Sequence, residues 1–196
     1  MASNANQDLP TFGDSISGII SLEQERRLGQ QFLRSIRSQA PTLDDPLLQD
    51  FLEHLTYRLA SHSQLEDRRL DLVIIRNRSL NAFAAPGGVI GVHDGLFLYA
   101  QTKHEISAIL SHELAHLSQR HFARRVAEGK KSAAINIGGL LAGVVLAATA
   151  GGDAALAAFT GSQGLAQNQA LRYSREREAE ADRLGISTLD EAGLDP

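Results

Sequence analysis

Within one short stretch, His112, Glu113 and His116 have the types and spacing for metal-assisted hydrolysis. On a helix, positions four apart share a face about one turn apart. The two imidazoles can therefore serve a single tetrahedral Zn²⁺, with Glu113 beside it as a base for a bound water. The plainer alternative is an exposed helix with two scattered histidines, and a third ligand decides between them. The chain has no cysteine, so that ligand must be His, Asp or Glu. A three-histidine site would need the third His six residues after His116 and a Gly three after it, where Phe122 and Gln119 stand. His121, one residue short, is read as a neighbour of the site or a surface group and not as a ligand. Downstream, Glu178 and Asp182 are four apart in the run from Ser174 to Asp182. One carboxylate can ligate the metal while the other accepts the N–H of a ligating imidazole. Taken alone, such alternating charge is a solvated helix.

The elements that must position these groups follow from punctuation and periodicity. Thr102 and Glu105 form a capping box, and Ile106, Ile109, Leu110, Leu114 and Leu117 make the apolar face of the helix they open. That helix is predicted to continue to Glu128, with Gly129 as its stop. Upstream, Ser21 and Gln24 form another box, and Leu28, Phe32, Leu33 and Ile36 predict a helix to Gln39. Asp45-Pro46 opens a second, with a stripe of Leu48, Phe51, Leu52, Leu55 and Leu59. The β-branched run 70–76 is a strand, and residues 81–85 and 89–92 form a hairpin about Pro86-Gly87-Gly88. Small residues at 82, 84 and 85 leave that backbone accessible, so the hairpin either pairs with an extended peptide or only packs. Gly193 followed by Pro196 closes a last helix.

Composition sets the class. The chain has 196 residues, 43% apolar and 21% charged, with 19 basic against 23 acidic residues and a net charge of −4. That is a soluble globular balance without the basic excess of a nucleic-acid binder. Residues 1–20 are polar, read as a flexible arm, and carry no apolar core of a signal peptide. From Ser132 to Gly152 there is no charge, enough length for a span of about 20 residues. One crossing, however, would put a downstream ligand ~30 Å from His112 and His116, and a return through 154–171 is too polar. Residues 132–171 are instead expected to form an Ala/Gly-rich helical hairpin, either packed on the core or exposed as a flap touching substrate or membrane.

In order, Asn81-Ala82-Phe83-Ala84, Pro86-Gly87-Gly88, Gly95-Leu96, His112-Glu113-Leu114-Ala115-His116 with Arg120-His121, and Glu178 with Ala181-Asp182 resemble the M48 family of zinc metallopeptidases. More narrowly, they are similar to its soluble periplasmic branch, the BepA-type proteases that handle outer-membrane β-barrel proteins. The resemblance implies an α+β, mainly helical, zincin-like metalloprotease domain over 21–196, with a small antiparallel sheet and an HExxH helix. It implies one Zn²⁺ per chain on His112, His116 and Glu178, with Glu113 as general base and Asp182 orienting a ligand. It also implies an edge strand near the site, for which 79–85 or 88–92 are candidates, with Asn81, Ala82 and Phe83 as substrate-binding residues. The implied partners are polypeptides, namely misfolded or stalled outer-membrane proteins and their assembly machinery, in the periplasm. Members of that branch continue into tetratricopeptide repeats after a Gly-x-Asp-Pro segment like Gly193–Pro196, so the sequence is expected to be the protease domain alone. The competing reading is a chaperone-like assembly factor in which binding outweighs cleavage. An oxyanion donor is also expected, with Tyr173 and His93 as candidates.

Overall fold

A computed structural model describes residues 20–125 and 164–195, with side chains of the last helix described from Arg175. Apart from Ile20 and the helical backbone of 164–171, the expected arm over 1–20 and hairpin over 132–171 lie outside the described residues.

Helix α1 (Leu22–Gln39) opens with a reciprocal box: Gln24 N–H donates to Ser21 Oγ at 3.2 Å and Ser21 N–H to Gln24 Oε1 at 2.8 Å. Helix α2 (Pro46–Ser61) is capped by Asp45, whose carboxylate accepts from Leu47 and Leu48 N–H, and Pro46 loses nothing at a position whose N–H has no helical partner. Strands β1 (Asp71–Ile75), β2 (Ala82–Ala85) and β3 (Val89–His93) follow, then α3 (Gly95–Tyr99), α4 (Lys103–Ser118) and α5 (Gly164–Glu191).

The sheet runs β1-β3-β2. As expected, β2 and β3 form an antiparallel hairpin around Pro86–Gly88, where Gly87 and Gly88 take φ of 70° and 83°. The expected antiparallel sheet is mixed, however, because β1 lies parallel to β3. Turn chemistry dictates the β2–β3 pairing locally, whereas the partner of β1 is chosen by packing. The sheet is covered on both faces, which is why β1 and β3 are apolar runs without polar alternation. Val73, Ile75, Ala85 and Val89 pack on Phe32, Leu33 and Ile36 of α1. Leu72, Ile74, Ile90 and Val92 face the main core, with Leu52, Leu55 and Leu59 of α2, Leu110 and Leu114 of α4, and Leu189 of α5.

Thr102 caps α4 by accepting from Glu105 N–H at 3.2 Å, while the Glu105 carboxylate reaches back to Gln101 N–H instead of Thr102. The helix does not run to Glu128. It ends at Ser118, and Arg120 takes φ 49°, the one positive-φ residue other than glycine among the described residues. A new helical turn begins at His121. At the other end of the chain, Gly193 at φ 65° closes α5, with Leu194 N–H donating to Leu189 C=O at 2.9 Å. Among the described residues no helix is long and apolar enough to cross a membrane.

Candidate metal centre

Helices α4 and α5 carry the site, and a glycine sets how closely they cross. A Cβ on Gly185 would lie 3.2 Å from His112 N and 3.4 Å from His112 Cα. Glu178, Asp182 and Gly185 share one face of α5 at i, i+4 and i+7, so close approach at Gly185 brings both carboxylates over His112. Buried Ala181 and Leu189 anchor the same helix in the core.

The ligand atoms converge. His112 Nε2 lies 3.0 Å from His116 Nε2, and Glu178 Oε2 lies 3.3 Å and 3.6 Å from the two nitrogens. Bonds of about 2.05 Å to a tetrahedral zinc would separate ligand atoms by ~3.3 Å, close to these three distances. Both outer nitrogens are already engaged: His112 Nδ1 is 2.9 Å from Asp182 Oδ1, and His116 Nδ1 is 2.8 Å from His121 Nδ1. When those Nδ1 atoms carry the protons, both Nε2 lone pairs point at one place with no donor between them. Two nitrogens and one carboxylate oxygen at these spacings suit zinc among the biological divalent cations. Without a metal, the Glu178 hydrogen bond raises His112 above its ordinary pKa against the opposing effect of burial, and contacts with His112 and then His116 hold Glu178 well below the carboxylate range.

Glu113 lies beside this cluster, partly buried under β2. Burial raises its pKa; His116, His112 and a hydrogen bond from the Ala84 backbone oppose that rise, and the Glu178 charge adds to it. The cleft above has a volume of about 390 Å³ and is lined by β2, the turn after it, α4, Leu22 and Glu25 of α1, and Glu178.

Of the residues singled out for substrate, Asn81 lends its C=O to His93 N–H at 2.9 Å. Hydrogen-bonded pairs recur every second residue in an antiparallel ladder. Phe83 and Ala85 therefore also turn their backbone groups to β3, and Ala82 and Ala84 turn theirs away. The Phe83 ring lies over Gly91 and edge-on to Phe32, centroids 5.9 Å apart. Of the two oxyanion candidates, His93 is fully buried, bonded to Ser79 Oγ at 2.7 Å and away from the cleft lining, and the Tyr173 side chain is outside the described residues.

Sequence reasoning missed two contributors, Gly185 and Arg120, and left a third, His121, open between the neighbourhood of the site and the surface. Gly185 was legible only as a glycine on the Glu178–Asp182 face. His121 is buried, and its Nε2 meets Glu180 Oε2 at 3.2 Å, an acid of the run otherwise read as solvated. Burial pushes His121 down to about 4, so the ring is neutral at neutral pH; burial raises Glu180, but contacts with His121 and Arg124 outweigh it and hold the carboxyl low. Arg120 packs against buried Glu25, with Nε 3.0 Å from Oε2 and Nη2 2.6 Å from Ile20 C=O.

The profile of peptidase family M48 matches residues 46–196. The chain belongs to peptidase family M48. It is 35% identical over 195 residues to a putative beta-barrel assembly-enhancing protease of Vibrio cholerae, covering 100% of this chain and 40% of that protein. It is 35% identical over 188 residues to the beta-barrel assembly-enhancing protease of Escherichia coli, covering 96% and 38%. A mitochondrial metalloendopeptidase of Schizosaccharomyces pombe is 28% identical over 182 residues, covering 90% and 50%. The chain thus spans about two fifths of the length of the bacterial relatives. Membership in this family implies a divalent metal, in accord with the convergence of His112, His116 and Glu178.

Proposed function

We propose that residues 21–196 form a zincin-like, zinc-dependent endopeptidase domain, with α4 as its HExxH helix and one Zn²⁺ held by His112, His116 and Glu178. The observation that carries this is the meeting of His112 Nε2, His116 Nε2 and Glu178 Oε2 within 3.0 to 3.6 Å, beside the half-buried Glu113 of the same helix. Bound there, zinc supplies Lewis acidity toward water and toward the scissile carbonyl.

The chain's own groups do the rest. Asp182 accepts from His112 Nδ1–H and keeps that imidazole's Nε2 lone pair inward. Glu113 takes the proton of the attacking water and passes it to the leaving amine, and burial, which raises its carboxyl above the ordinary value, favours its holding that proton between the two steps. An extended polypeptide adds to the free edge of β2 through the outward backbone groups of Ala82 and Ala84, whereas Asn81 and Phe83 shape that edge from behind. Ala84 N–H already serves Glu113, so substrate and base meet on one strand.

The names of the bacterial relatives support a part in β-barrel assembly, and our reading extends this to misfolded or stalled outer-membrane β-barrel proteins as clients, in the periplasm, with contact to their assembly machinery. The second reading, a chaperone-like assembly factor in which binding dominates, is favoured by the same accessible edge. Glu113→Gln separates the two. It should keep stoichiometric zinc yet slow hydrolysis of an unfolded β-barrel substrate at least a hundredfold, within the ~10²–10⁴ range of general acid–base catalysis. Retained hydrolysis removes Glu113 from the chemistry, and client rescue that survives lost hydrolysis favours the assembly factor.

A further inference from the structure

His121 stands five residues after His116, and on an unbroken helix of 3.6 residues per turn it would face roughly 140° away. It does not, because the chain breaks at Arg120, whose left-handed backbone turns the next helical segment back beneath the site. The two rings meet edge-on with centroids 4.8 Å apart and an angle of 76°, and the Nδ1 atoms are 2.8 Å apart. At that distance one nitrogen carries hydrogen and the other a lone pair.

The far side of His121 decides which. Its Nε2 is 3.2 Å from Glu180 Oε2, and the same oxygen takes Arg124 Nη1 at 2.9 Å. An ionised carboxylate only accepts, so His121 Nε2 carries the hydrogen. Glu180 thereby selects the Nε2–H tautomer of His121, whose Nδ1 carries the lone pair. His116 Nδ1 must donate to it, which leaves the His116 Nε2 lone pair facing His112 and Glu178.

We propose that His121 is a positioning residue that sets the tautomer and ring angle of His116, through a relay from His116 to His121 to Glu180, with Arg124 holding Glu180. The inference rests on the metal-site reading above. The two imidazoles of the site are thus oriented by different devices. His112 has an exposed carboxylate directly, whereas His116 has a buried imidazole that conveys the influence of a carboxylate one ring away. The left-handed Arg120 and its buried bond to Glu25 make the second device possible.

The test begins with the unmutated protein. Long-range proton–nitrogen NMR on the metal-free form should show His116 protonated at Nδ1 and His121 at Nε2, and the reverse pattern at His116 overturns the proposal. Zinc and cobalt affinities, measured by chelator competition, are then compared for His121→Phe and His121→Asn. The Asn Oδ1 falls near the place of the imidazole Nδ1 and can accept in its stead. The Phe variant should bind ten- to hundredfold more weakly, the usual effect of removing such a partner, and the Asn variant should recover to within about fivefold of wild type. Equal affinity in the Phe variant, or equal loss in both, overturns the role of His121 alone. A wild type that takes up no metal overturns the metal-site reading and this inference with it.

Discussion

Gly185→Val tests whether the crossing of α4 and α5 is what makes the metal centre. A Cβ at this position sits 3.2 Å from His112 N and 3.4 Å from His112 Cα. An alanine there needs the neighbours to give by a few tenths of an ångström, and it gains about 1 kcal/mol of helix propensity over glycine. Valine adds two methyl groups ~1.5 Å further out, and carbon contacts prefer about 3.5–4.0 Å, so α5 must back away by roughly 1 Å. Ligand positions tolerate only about ±0.2 Å, and Glu178 rides on the displaced helix. Zinc affinity should fall ten- to hundredfold for Val, or about 1.4–2.7 kcal/mol, and by no more than about threefold for Ala. Chelator competition measures the affinity, and thermal melting of the metal-free forms reports the fold. A Val variant that melts at a lower temperature but binds zinc as tightly as wild type refutes the geometric argument.

Two further outcomes are expected. In the metal-free protein His112 is raised above 6.5 and Glu178 depressed below 4.5. The His112 contribution to stability is therefore complete below pH 6.5 and lost as pH rises through its folded value, while that of Glu178 is present above 4.5 and lost as pH falls through its own. Zinc must displace the His112 proton, so binding at pH 6 should release roughly one proton, read by calorimetry in buffers of different ionisation enthalpy. Uptake without proton release would contradict the assignment. Arg120→Gly should relieve about 1 kcal/mol of left-handed strain but strand a buried Glu25, a loss of about 3–5 kcal/mol. A net destabilisation of about 2–4 kcal/mol is expected in urea unfolding, largely recovered by adding Glu25→Gln; a single variant as stable as wild type would show that the pair does not secure the turn.

Much of this protein was legible before folding. The boxes at Ser21 and Thr102, Pro46 after Asp45, and the Pro-Gly-Gly turn are local devices whose energetics involve residues within a few positions. They predicted α1, α2, the start of α4 and the β2–β3 hairpin. His112, Glu113 and His116 lie within one helical turn or so, and Glu178 with Asp182 within another, so each half of the site was visible as spacing.

What spacing could not say is what long-range packing decides. Whether β1 lies parallel or antiparallel to β3 depends on how the layers on both faces fill. The end of α4 depends on a buried partner 95 residues away, because a left-handed arginine persists only where Glu25 and Ile20 hold it. Once that turn is made, His121 takes the place beside the site instead of the surface, the two positions its spacing left open, and Glu180 leaves its solvated run to meet it. Glu178 reaches His112 through a glycine that reads in sequence as a weak point in a helix. By itself, then, the sequence determined the chemical groups and the helices that carry them; the tertiary structure alone decided which of their atoms face one another, because that depends on contacts between residues far apart in the chain.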